Sequence, residues 1–218
     1  MPLPVQVGLF VGSILGFLLL AATLRKGEHL DLRLMADLVT GRIQEASGEL
    51  VEAEHTLKHV ADRAGAAGLH VLARRARVQL GSVLWGLGQP RQAKRLFTDG
   101  VSALRKAGDV PAAVEAVTVQ ARCLAEEMDP DRLYAPVSDF LDNQPAPIAR
   151  LERTLARIRH QLAKDDGEPG PHAEEAGRLL EAIARNLSAT DRAALRLHPW
   201  THPVRAAGLE VLAELPHD

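Results

Sequence analysis

The nine histidines and the single cysteine of this 218-residue chain are its most reactive residue types, and their spacing limits what they can do. His55 and His59 are four apart, so on a helix they share a face, with Glu52 and Glu54 beside them. Two such imidazoles can share a metal ion. The segment HTLKH lacks the glutamate of zinc-protease helices, and no third ligand can be placed from sequence, so a solvated helix face is expected. His198 and His202 bracket Trp200 in HPWTHP, a tail segment expected to pack, with a binding epitope as the other reading. Cys123 lies in an apolar-periodic stretch; alone, it cannot form an intramolecular disulfide, and a buried inert thiol is expected. No phosphate-cradling glycine loop, nucleophile elbow or paired-acid motif is present. The expectation is a protein that is not an enzyme and uses no cofactor or metal.

The segment at residues 80–101, LGSVLWGLGQPRQAKRLFTDGV, shows how such side chains would be positioned. It reads as two helices joined by a break at Gly88, Gln89 and Pro90. Leu80, Gly81, Leu84 and Leu87 lie on the first helix; Ala93, Phe97, Gly100 and Val101 lie on the second. Small residues at Gly81, Ala93 and Gly100 let the backbones approach, and Leu84 and Phe97 fill the space between. The pattern recurs at one fixed interval, upstream and downstream. Gly41, Gly81 and Ala121 correspond, as do Leu57, Phe97 and Val137, and Ala53, Ala93 and Leu133. Gly48 and Gly88 are followed by Met128 with Asp129-Pro130. Gln44 fits the Leu84 position poorly and Leu124 fits it well.

This spacing resembles a tetratricopeptide repeat, and its length is closer to the longer-helix variants. The resemblance covers residues 33–141 well and 148–187 weakly. It implies that the first helices of successive repeats line a concave groove for a protein or peptide. The groove residues would be Arg42, Glu45 and Ala46, then Ser82, Trp85 and Gly86, then Arg122, Ala125 and Glu126. Leu38, Val78 and Thr118 would join them one turn earlier. Trp85 is the sharpest candidate, because indoles are enriched at binding hot spots. Arg42, Arg75 and Arg122 are the side chains suited to a carboxylate.

Apolar periodicity and turn signals place the helices at 32–46, 50–64, 69–87, 90–106, 111–128 and 131–141. After the proline break NQPAP come 148–163, with Ile148, Leu151, Leu155, Ile158 and Leu162 as its stripe, and 173–187. Ser188 to Asp191, SATD, has the form of a capping start. Short helices at 193–197 and 204–215 would close the chain. Low aromatic content, 3%, against 46% hydrophobic suits a helical array filled by Leu, Ala and Val. With a formal net charge of −2, nothing argues for a global nucleic-acid footprint, and no nucleic-acid partner is expected.

Residues 5–24, VQVGLFVGSILGFLLLAATL, carry no charge and as a helix would span about 30 Å, the hydrocarbon thickness of a bilayer. No basic residue precedes them and no clear cleavage site follows, so an uncleaved single-pass anchor is expected. Arg25, Lys26 and Arg33 on the C-terminal side predict an outside N-terminus and a cytoplasmic domain, at the inner membrane if the cell is Gram-negative. Gly8, Gly12 and Gly16 form a small-residue stripe that could pack helices into a homo-oligomer. The whole reads as all-α: an anchor at 1–26, an α-solenoid of three to four hairpins at 27–187, and a capping tail at 188–218. The overall pattern resembles bacterial inner-membrane proteins with one N-terminal anchor and a tetratricopeptide domain. That resemblance implies a membrane-anchored adaptor in envelope-related assembly or regulation. The alternative is a periplasmic or secreted chaperone-like repeat domain released from a cleaved signal peptide.

Overall fold

The computed structural model describes residues 29–143, 147–164, 170–185, 187–196, 198 and 200–208. The expected anchor at 5–24, with Gly8, Gly12 and Gly16, lies outside the described residues. Among the described residues no strand occurs, and no helix is long and apolar enough to cross a membrane.

Four 17-residue helices come first: α1 (Leu30–Ala46), α2 (Leu50–Ala66), α3 (His70–Gly86) and α4 (Pro90–Lys106). Helix α5 (Val110–Leu124) follows, and the chain divides inside it into two compact units, Met1–Ala116 and Val117–Asp218. The starts at Leu30, Leu50, His70, Pro90 and Val110 are evenly spaced, at half the interval over which the residue pattern repeats. One turn serves all four junctions. At the end of α3, Gln89 N–H donates to Leu84 O at 2.8 Å and Gly88 N–H to Trp85 O at 3.0 Å. This is the six-to-one and five-to-two bonding of a Schellman cap. It needs a left-handed residue, and Gly88 supplies φ +73, as Gly48, Gly68 and Gly108 do at the other junctions. The residue after each glycine then opens the next helix, as Ala93 N–H to Gln89 O shows. Connections this short turn the chain straight back on itself.

Within the N-terminal unit, α1 packs on α2, α2 on α3 and α3 on α4, and α1 also touches α3. One core joins Leu34, Val60, Ala61, Ala64, Ala73 and Ala76; another joins Ala53, Leu57 and Val83. The interlock read from sequence is present. A Cβ on Gly81 would lie 2.8 Å from Phe97 Cε1, and one on Gly41 would lie 2.7 Å from Leu57 Cγ. Glycine at these positions is therefore what allows the neighbouring large side chain to sit flush against the helix.

In the C-terminal unit the third hairpin departs from the expected pattern. Helix α5 ends at Leu124, not at Met128. Instead Met128 N–H turns back to Leu124 O, and Asp129 is extended (ψ 119) as the residue before Pro130 requires. The expected helix 131–141 is broken into α6 (Pro130–Tyr134), a 3₁₀ turn (Ala135–Val137) and α7 (Ser138–Asn143). Pro136 is the cause: it has no N–H to bond a carbonyl four back, and its ring crowds that carbonyl. Arg150 caps the end of α7, donating to Leu141 O at 2.9 Å and Asp142 O at 3.2 Å.

Helices α8 (Pro147–Lys164) and α9 (Gly170–Ala184) form the core of this unit. Leu151, Leu155 and Ile158 are buried against Ala173, Ala176, Leu180 and Ala184, while Ile148 and Leu162 at the ends of the stripe remain exposed. The tail folds as α10 (Ala189–Arg196) and α11 (Thr201–Ala206). Asp191 N–H donates to Ser188 Oγ at 3.1 Å, the expected cap. Helix α11 starts earlier than the expected 204–215, with Pro203 in its first turn, where a missing N–H costs nothing. Val204 and Leu195 join the core, with Trp200 packed at its edge.

Candidate interaction face and a buried charge cluster

In the N-terminal unit, α1, α3 and the first half of α5 bring six polar side chains together. Arg42 Nη1 donates to Glu115 Oε1 at 3.0 Å, and Arg75 Nη2 forms an ion pair with Glu115 Oε2 at 3.3 Å. Glu45 accepts from Gln79 Nε2 and Ser82 Oγ of α3. The ion-paired side chains are 37–46% exposed, so the pairs lie at the surface and are screened. Trp85 is half-buried on α3, with Lys94 Nζ of α4 at 5.6 Å from its ring centroid, a cation–π approach.

Of the residues expected in a groove, this face gathers Arg42, Glu45, Arg75 and Ser82, and Trp85 lies one helical turn on from Ser82. Leu38 is half-buried and packs against both cores. Val78 is a correction: it is 2% exposed, its Cγ2 filling the space a Cβ on Gly100 would need, so it belongs to the core. Gln79 and Glu115 are functional candidates that the repeat positions do not single out. A signal for Glu115 exists, since it occupies the position of Arg75 in the following repeat and carries the opposite charge.

Arg122 lies in the C-terminal unit and has its own partner. Glu152 of α8 is 1% exposed, and its Oε1 accepts from Arg122 Nε at 3.1 Å and from Arg122 Nη2. The same oxygen accepts the indole N–H of Trp200 at 2.7 Å. Three donors on one buried carboxylate supply the compensation that burying its charge demands. The His198 ring meets Trp200 edge-on, centroids 4.4 Å apart, and its Nδ1 accepts the Trp200 backbone N–H at 3.3 Å. Tyr134 is fully buried nearby. Burial pushes its phenol well above the usual range and Glu152 adds to this, while Thr118 and Arg122 act the other way. Burial holds the His198 imidazole below its ordinary value, with Glu152 opposing and Arg122 reinforcing.

Thr118 is half-buried, Glu126 is exposed in the turn beyond α5, and Ala125 is buried, its carbonyl 2.7 Å from His160 Nδ1. Because a carbonyl can only accept, that nitrogen carries the proton. His160 borders an open pocket of about 430 Å³ with Glu127, Met128, Asp129, Arg132 and Lys164. Cys123 is half-buried, less enclosed than its apolar stretch suggests. His55 and His59 are exposed on α2, and among the described residues no three His, Cys, Asp or Glu side chains gather as a metal site. Glu152 is a further residue that motif reading does not reach. Its signal is a carboxylate set beside Leu151 within the apolar stripe of α8.

Comparison with protein-family models, with curated proteins and with solved structures returned no match. The candidate activities of this chain are those its own side chains can perform.

Proposed function

We propose that this protein is a membrane-anchored helical-repeat adaptor that binds a protein partner on the face formed by its first helices. The observation that supports this reading is the Arg42–Glu115–Arg75 and Glu45–Gln79–Ser82 cross-linking of that face, with half-buried Trp85 one turn beyond. Side chains tied across helices hold a fixed surface pattern, so little ordering entropy is lost on binding. A half-exposed indole beside such a pattern has the character of a hot spot. The apolar segment at residues 5–24 would hold this surface at a bilayer and raise its effective concentration near membrane partners.

The test is site-specific photo-crosslinking in cells, with a benzophenone side chain at position 85 and, as control, at Thr98 on the exposed side of α4. A protein adduct formed from position 85 and missing from position 98 is expected. Identical adducts from both positions, or none from 85, would overturn the reading.

A further inference from the structure

We propose that the tail carries a proton-released latch, in which neutral His198 holds Trp200 on the Glu152–Arg122 pair and protonation of His198 frees the indole and uncovers that pair. Its meaning for partner binding rests on the adaptor reading; the latch itself does not.

The geometry makes His198 the weak point. Trp200 is tied by two N–H groups. Its indole N–H, the only polar atom of its side chain, goes to Glu152, and its backbone N–H goes to His198 Nδ1. The second bond requires an unprotonated Nδ1. One added proton removes that acceptor and sets two donors against each other. The charged groups acting on the ring are Glu152 from α8 and Arg122 from α5, the first attracting an imidazolium and the second repelling it. Burial outweighs the attraction of Glu152, so the closed arrangement favours the neutral ring. Closed tail therefore binds fewer protons than open tail. Closure is complete above the ordinary histidine pKa of about 6.5 and weakens as pH falls through it, by at most about tenfold per pH unit for one group.

The element carrying the latch is suited to opening. Helix α11 has six residues, too few to persist alone, so its order depends on docking. It docks through Val204 and Thr201, both buried, and Thr201 Oγ1 ties back to His198 O at 2.9 Å. Loss of the His198 bond thus acts on the turn that begins the helix. Elements held by few contacts are the ones that open locally while the rest stays folded.

The chain has two tryptophans, so full-length protein with Trp85→Phe reports on Trp200 alone. Acrylamide quenching of its fluorescence, measured from pH 8 to pH 5, should rise as pH falls through about 6.5, with far-UV circular dichroism losing no more than the six-residue helix α11 accounts for. His198→Asn keeps an acceptor that does not titrate in this range and should flatten the curve at its low, closed level. His202→Asn, on the exposed side of α11, should leave the curve as it was. Glu152→Leu removes the acceptor of the indole N–H and should give strong quenching at every pH. A flat curve in the parent, a curve that survives His198→Asn, or a rise that tracks loss of helix beyond the six residues of α11 would each overturn the latch. If Glu152→Leu loses helix, the His198→Asn comparison decides alone. Failed capture at position 85 alongside a working pH curve would sink the adaptor reading and leave the latch standing.

Discussion

A single carbon atom has opposite consequences at two glycines of this chain. At Gly81 an added Cβ would meet Phe97 at 2.8 Å, and at Gly177, within α9, it would meet nothing within 4 Å. Gly81→Ala should therefore cost about 1–3 kcal/mol through overpacking. Gly177→Ala should gain about 0.4–1 kcal/mol by narrowing the unfolded ensemble. Urea denaturation of the two variants checks both signs. Asp131 supplies a pH-dependent counterpart. Burial pushes its carboxyl up, but Arg157 at 2.6 Å and Arg153 at 3.3 Å outweigh this and hold it below the usual value. A depressed carboxyl contributes stability above its unfolded pKa and loses it as pH falls through the folded one. Asp131→Asn should cost less than about 1 kcal/mol at neutral pH, since the site is exposed. That deficit should shrink as pH falls below about 3.8. Thermal melts at pH 7 and pH 3 would show the two chains converging.

At the scale of elements, the turn is the unit that repeats most faithfully. Gly88→Ala puts a Cβ on a left-handed residue with open space around it, so the cost is conformational, about 1–2 kcal/mol. It should appear as an equal loss at Gly68→Ala, whose φ is +75. Unequal losses in denaturant midpoints would mean that the two turns are not interchangeable. The helices are legible in the sequence where glycine and periodicity agree, as at Gly88 and in the Ala93, Phe97 and Val101 stripe. They are not legible around Pro136, where the repeat pattern predicts one helix and a missing N–H divides it. The end of α5 is obscured for a related reason: Met128 occupies the cap position, and only the Asp129-Pro130 geometry fixes where the chain leaves the helix. The face residues Arg42 and Ser82 follow from repeat position alone. Val78 does not, since its burial is decided by Gly100 on the neighbouring helix.

At the scale of the whole molecule, the N-terminal unit is an array of sequence-adjacent contacts, α1 on α2, α2 on α3 and α3 on α4. Local contacts of this kind are formed early and lose little entropy to loop closure. The proposed anchor is tested at this level: full-length chain should stay with membranes through alkaline carbonate extraction, and a chain lacking residues 5–24 should be released. Release of both would remove the membrane from the adaptor reading. The Arg122–Glu152–Trp200 cluster is the least legible feature, because it joins α5, α8 and the tail, which lie far apart in the sequence, and no periodic rule relates them. The two repeat intervals also constrain how such a chain can lengthen by gene duplication. The glycine turns recur after every helix and would accept a duplicated single helix. The Gly41–Leu57 and Gly81–Phe97 interlocks recur only with every second helix, so an odd number of inserted helices would set large residues against large and move the arginines to the opposite side. Viable relatives of different length should therefore differ by even numbers of helices, a parity rule written by the cores and not by the turns.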